Sequence, residues 1–264
     1  MSYENPVERQ VDHVDSIHQT DTGNGRRLSI RWGDVIRYVP AFKAWHVWDG
    51  QRWGRDHRGV IFELAKATAL AIGDEAKEAD SEEKQRKLFQ WAAQSQSRSR
   101  IEAMVALART EPSIVVTPDE LDRDRYAFNV ANGTVDLRTG ELRPHDPADL
   151  ITKLVPIEYD PEATCPTFDA FMLRVMDGRG GLVEFLRRSV GYTMNGNVTE
   201  RVIFLMQGTG KNGKSTFLNV LRDLFGEYHQ RTGMNTITHT KDQGENRGIA
   251  PLIGARLVTA SESE

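Results

Sequence analysis

The sequence predicts an α/β protein in two parts: a mixed α+β domain over residues 21–195, then, over 196–264, the first half of a phosphate-loop α/β domain. Three observations predict it. Aromatic and β-branched runs alternate with turn dipeptides at 36–53 and 127–147, which is hairpin chemistry. Between and after these segments, alanine, leucine and glutamate recur at helical spacing. Finally, the apolar run VIFLM at 202–206 leads directly into GTGKNGKST at 208–216, and STFLNVLRDLF is helical in pattern. Strand, glycine loop and helix in succession form the context a phosphate loop requires.

Taken in order, residues 1–20 are polar and aperiodic, a flexible lead-in. Strands are expected at 36–39, 45–48 and 51–53, with Asp49-Gly50 as a tight type I′ turn between the last two. A helix is expected over 60–79 and a continuing helical stretch over 81–110. Its apolar side is Leu88, Trp91, Ile101, Met104, Val105 and Ala108, and Glu111-Pro112 stops it. Asn132-Gly133 and Thr139-Gly140 mark a second hairpin region. Residues 164–195 read as two helices, with Pro166 in the first turn of one and the glycines of 178–181 dividing them. The run 202–206 reads as a strand buried on both faces of a parallel sheet, and ARLVTA at 255–260 as another strand.

Composition narrows the class. The chain has 264 residues, 39% of them hydrophobic and 27% charged, an ordinary balance for a soluble domain with a core. A net charge of -4 gives no overall basic field, so any nucleic-acid contact must be a local patch. The one cysteine, Cys165, allows neither an internal disulfide nor a cysteine-based zinc site and fits a reducing, cytoplasmic setting; it reads as a small residue at a helix start. The amino terminus lacks the apolar segment of a signal peptide, and the longest aliphatic or aromatic runs fall far short of a membrane span.

The chemistry centres on Gly208, Thr209, Gly210, Lys211, Asn212, Gly213, Lys214, Ser215 and Thr216. Glycines let backbone amides approach phosphate closely, and the helix beginning near Lys214 turns its positive end towards the same charge. Lys214 suits the β and γ phosphates, the Ser215 hydroxyl suits Mg²⁺, and Thr216 lies towards the α-phosphate. Such a site needs an acid at the end of a neighbouring strand. Glu262, directly after 255–260, is the candidate, to hold the metal or polarise the attacking water; the bland alternative is a solvated glutamate, and Glu264 is the lesser claimant. A small-molecule kinase would need an arginine-bearing lid beyond Glu264, and no Asn-Lys-x-Asp base-reading motif of GTPases is present.

GTGKNGKST resembles the phosphate loop of superfamily 3 helicases, the AAA+ motors of small viral, phage and plasmid replicons. TDTGNGRRL at 20–28, IRYVPAFKAWHVWDGQRW at 36–53, ANGTVDLRTGELRPHDP at 131–147 and YDPEATCPTF at 159–168 are similar to phage and plasmid primase–helicases and the poxvirus helicase-primase. The resemblance implies a collar domain over 21–195 and the amino-terminal part of an AAA+ motor over 196–264. It implies an ATP-dependent, ring-forming DNA helicase with ATP and Mg²⁺ as cofactors. The expected partners are single-stranded or forked DNA, further copies in a hexameric ring, and a primase domain or protein. The setting would be a bacterial or phage-infected cytoplasm. Lys214 and Glu262 would be the catalytic pair, with Ser215 and Glu262 on the metal. The channel hairpin, sensor asparagine and arginine finger of the family lie beyond the acidic strand, so the expectation is an incomplete motor with little hydrolysis of its own. The alternative is a non-hydrolysing oligomerisation or DNA-binding module.

Other candidates have bland readings beside them. Trp32, Trp45, Trp48 and Trp53 suit a stacking platform for single strands, but tryptophans in a small meander more often form its core. Lys84, Arg86, Lys87, Arg98 and Arg100 could track a phosphate backbone, with Arg98 and Arg100 the named DNA candidates, or form a solvated helix face. Asp122 and Asp124 form a D-x-D that a primase would use for metals, but they sit in a charged loop. His13 and His18 have no ligand spacing.

Overall fold

A computed structural model describes residues 17–208, 210–233, 252 and 254–261. The expected lead-in 1–20 thus lies mostly outside the described residues, as do Thr209, Glu262, Glu264 and His13. The chain divides into two compact units, residues 1–121 and 122–264. The first is a helical cluster carrying a small sheet. The second is a separate mixed unit that carries the glycine loop.

The first unit opens with α1 (Asp21–Trp32), capped by the Thr20 hydroxyl, which accepts from the Gly23 amide at 3.0 Å. The glycines of TDTGNGRRL argue locally against a helix. One forms because Gly25 lets it lie against its neighbour: a Cβ at Gly25 would come within 3.1 Å of the Ala108 amide and of Leu107 Cβ. Next come β1 (Ile36–Val39), β2 (Ala44–Trp48) and β3 (Trp53–Arg55), an antiparallel meander. The expected two-residue turn at Asp49-Gly50 is a four-residue loop instead, since Trp48 pairs with Trp53. Asp49 Oδ1 accepts from the Gln51 and Arg52 amides at 2.9 Å, and that Asx geometry stabilises the longer loop.

Helix α2 (Val60–Lys77) follows, its first turn capped by Asp56, which accepts from the amides of Val60 and Ile61. The single stretch expected over 81–110 is two helices, α3 (Glu82–Ser95) and α4 (Arg98–Ala108). Ser97 is extended and interrupts the helical path between them. Leu28, Trp32, Ile36, Tyr38, Trp45, Leu64, Met104 and Ile114 form the core, so helices and meander share one apolar centre. Three of the four tryptophans follow the core reading, Trp32, Trp45 and Trp53 being buried, while Trp48 is half-buried.

The second unit begins with the expected hairpins, a meander of β4 (Ala127–Val130), β5 (Gly133–Asp136) and β6 (Glu141–Arg143). Its first turn is Ala131-Asn132, because Gly133 already pairs with Val130, and Thr139-Gly140 closes a four-residue loop. Helices α5 (Pro166–Val175) and α6 (Gly180–Met194) occupy the expected places, with Pro166 in the first turn. Helix α7 (Lys214–Phe225) begins at the second lysine of GTGKNGKST, and β7 (His229–Gly233) pairs in parallel with β8 (Leu257–Ser261). Phe128, Val155, Met172, Val183, Phe217, Leu221, Phe225 and Tyr228 make the core.

The buried strand expected at 202–206 does not form. Residues 201–208 carry no regular structure, and Ile203 and Leu205 are 78% and 85% exposed. A strand of a parallel sheet takes its hydrogen bonds from flanking strands and its burial from helices on both faces. Among the described residues no strand pairs with 202–206, and the parallel sheet holds only β7 and β8. Phe204 instead meets Phe185 of α6 edge to face, with ring centroids 6.3 Å apart.

Candidate functional site

The glycine loop is built from left-handed backbone. Gly210 has φ 99°, Lys211 φ 47° and Gly213 φ 82°, so the chain turns tightly before entering α7 at Lys214. Only glycine adopts such angles freely, which accounts for Gly210 and Gly213; Lys211 takes the same region against its Cβ. Gly213 is needed for a second reason. A Cβ there would lie 2.8 Å from Val175 Cγ1 and 3.0 Å from Phe171 Cζ, both on α5. Phe171 and Val175 are four residues apart and so share one face of α5.

Lys214 is held over the loop. Its ammonium donates to the Gly208 carbonyl at 3.0 Å and to Asn212 Oδ1 at 2.8 Å. Gly208 leaves room for this arrangement, since a Cβ there would strike the Asn212 amide. Ser215 and Thr216 are exposed in the first turn of α7, where helical amides have no partners of their own. The other face of α7 is buried through Phe217, Leu221 and Phe225, at helical spacing. That burial fixes the direction of the helix, and with it the place where its positive end emerges. A backbone-lined turn, one ammonium and an exposed hydroxyl at a helix start are together suited to a phosphate group.

The structure brings Gly208, Gly210, Lys211, Asn212, Gly213, Lys214, Ser215 and Thr216 together; Thr209 and Glu262 lie outside the described residues. Strand β8 forms directly ahead of Glu262, close to its expected span. The residues around the loop do not stand out in the sequence. Phe171 and Val175 read only as helix filler, although their spacing marks them as one face of α5. Arg256 reads as one residue of the strand ARLVTA. Its guanidinium donates to the Met194 carbonyl at 2.7 Å and the Ala127 carbonyl at 2.6 Å, and lies 4.4 Å from the Tyr228 ring centroid. Burial lowers its pKa, against the opposing pull of Tyr228. No local pattern signals this role, because the partners are distant in sequence.

The DNA candidates are in the first unit. Arg98 is exposed and paired with Glu102 one turn on, at 2.8 Å. Arg100 pairs with Asp21 at 3.1 Å and lies 4.1 Å from the Trp91 ring centroid. Lys84 and Lys87 pair with Asp80 and Glu83. Of the D-x-D, Asp122 accepts from the Thr152 amide and hydroxyl, and Asp124 binds Arg138. Among the described residues no group of three or more His, Cys, Asp or Glu converges, and no helix is long and apolar enough to cross a membrane. Cys165 is exposed at the start of α5.

A profile of the family described as D5 N terminal like matches residues 25–177. The chain belongs to this family. The D5 N terminal like segment runs from α1 to just beyond α5, through both meanders, and ends before the glycine loop. Over 131 residues the chain is also 23% identical to "Putative helicase L207/L206" of Acanthamoeba polyphaga mimivirus. That similarity covers 48% of this D5 N terminal like chain and 13% of the relative's length.

Proposed function

We propose that this chain is part of an ATP-dependent DNA helicase of the primase–helicase type, a ring-forming translocase in phage or plasmid DNA replication. The observation that carries the reading is the GTGKNGKST turn at the start of α7, with left-handed glycines and a lysine poised over them, downstream of a D5 N terminal like segment. The similarity to a mimivirus protein named as a helicase supports the same direction.

In this reading the amides of 208–216 cradle the phosphates, and Lys214 leaves Gly208 and Asn212 to meet the β and γ oxygens. Ser215 and Glu262 are the residues assigned to Mg²⁺, which supplies positive charge to the phosphates when bound. Glu262 also orients the attacking water. Partners would be single-stranded or forked DNA, further copies of the chain, and a primase domain or protein.

Thermal-shift titration tests the site. Mg²⁺-ATP should raise the melting temperature increasingly above its Kd. Lys214→Ala should weaken binding about ten- to hundredfold, because a charge-assisted contact is worth about 1.5–3 kcal/mol. A folded sample with no shift at millimolar ATP, or a Lys214→Ala variant that shifts like its parent, would remove the nucleotide reading.

A further inference from the structure

The glycine loop is clamped from two sides. In front, the Lys214 ammonium ties Gly208 to Asn212. Behind, the ring of Phe171 and the branched end of Val175 press on Gly213, leaving no space for a Cβ. Within the loop Lys211 takes the left-handed region against its Cβ, between two left-handed glycines that are free to take other angles, so the shape depends on its neighbours. When a polyphosphate draws the ammonium away, the front clamp opens and the rear one remains.

We infer that Phe171 and Val175 are positioning residues for the phosphate loop, holding Gly213 in its turn so that the first amides of α7 stay aimed at a polyphosphate. The inference rests on the nucleotide reading and adds to it the element that sets affinity. Helix α5 is a firm base for the task. Met172 is buried in the core of the second unit, Phe168 stacks on Phe171 with centroids 6.1 Å apart, and Asp169 pairs with Arg187 of α6 at 2.7 Å. Phe171 and Val175 themselves are only partly buried, so trimming them costs less core than trimming Met172.

The experiment is isothermal titration of the chain with Mg²⁺-ATP and, separately, with tripolyphosphate, which has no base or sugar. Phe171→Ala, Val175→Ala, Phe171→Leu and Lys214→Ala are compared with the parent after circular dichroism establishes folding. The expected result is that Phe171→Ala and Val175→Ala each weaken both ligands by the same factor, about tenfold, and that Phe171→Leu recovers most of the loss. A merely structural role would not produce equal factors together with recovery by leucine. If ATP binding falls while tripolyphosphate binding is unchanged, α5 acts elsewhere than on the loop and the inference is overturned. If folded Phe171→Ala and Val175→Ala bind like the parent while Lys214→Ala does not, the inference fails and the nucleotide reading stands. A parent that binds neither ligand overturns both. Should Phe171→Ala not fold, Val175→Ala and Phe171→Leu decide the matter by the same comparisons.

Discussion

The Lys214 ammonium donates a hydrogen bond of 2.8 Å to the side-chain oxygen of Asn212, two residues before it. In the proposed function this hydrogen bond competes with phosphate for the same charge. Asn212→Ala should therefore raise ATP affinity by about two- to tenfold, the worth of one net hydrogen bond of about 0.5–1.5 kcal/mol. Titration calorimetry reads the effect directly. Weaker binding in the variant would make Asn212 a support of the loop rather than a competitor.

Asn24 on α1 is buried between two partners on α3. Its amide donates to Ser95 Oγ at 2.9 Å, and its oxygen accepts from Trp91 Nε1 at 3.0 Å. Asn24→Leu keeps the bulk but strands both groups, so it should cost about 2–4 kcal/mol. Urea unfolding should show a lower midpoint at unchanged m. A loss below about 1 kcal/mol would mean that water reaches Trp91.

Arg256, the residue before β8, is joined to β4 and α6 through two carbonyls. Arg256→Met fills similar space but leaves the Ala127 and Met194 oxygens without their donor. A loss of about 2–4 kcal/mol is expected, with β8 protected less against amide exchange than β4. Equal protection in variant and parent would assign the arginine no such role.

Tyr228 gives an alkaline limit. Burial, the main cause, raises its pKa from 10.0 to about 12; Arg256 opposes the shift, and the Asn129 amide donates to its oxygen. Between these values the unfolded chain loses the phenol proton and the native chain keeps it. The unfolded state then binds fewer protons, so stability falls as pH rises from about 10 towards 12 and is unaffected by this group below 10. Thermal melts of the parent and Tyr228→Phe across that range should converge as pH rises, because phenylalanine has no proton to lose.

Arg98 and Arg100 test the proposed DNA contact. Arg98→Glu is placed on an exposed face and should leave stability nearly unchanged, whereas Arg100→Glu loses the Trp91 stack and sets a carboxylate beside Asp21. If α4 tracks the backbone, the Arg98→Glu variant should bind single strands less tightly. Its log–log salt slope should be flatter by about one, because one phosphate is no longer neutralised. Identical binding at two salt concentrations would leave Arg98 as a solvated residue.

Local rules account for much of the second unit. Pro166 opens α5, the hairpins around Asn132-Gly133 and Thr139-Gly140 form, with the first turn one residue earlier, at Ala131-Asn132, and α7 begins at Lys214. Each is set by dihedral preference or apolar period within a few residues. In the first meander, β3 starts at Trp53 rather than at residue 51, because the Asp49 side chain stabilises a longer loop than the dipeptide alone suggests. Helix α1 is hidden from local rules for the opposite reason. Its glycines are unfavourable locally and are tolerated because the helix packs closely on α4 and is tied by Arg27 to Glu75 at 2.8 Å.

The sequence by itself determined the glycine loop, the lysine and hydroxyl that follow it, and the helix that carries them. These depend on backbone angles and spacing that neighbouring residues dictate. Tertiary structure alone decided that Val202 to Leu205 stay exposed, since a parallel strand exists only where others flank it and apolarity cannot supply the partners. It decided too that Phe171 and Val175 of α5 back the loop at Gly213, although the two segments are far apart in the chain. Side chains meet there because two helices pack, and no period within either helix records which neighbour it will have.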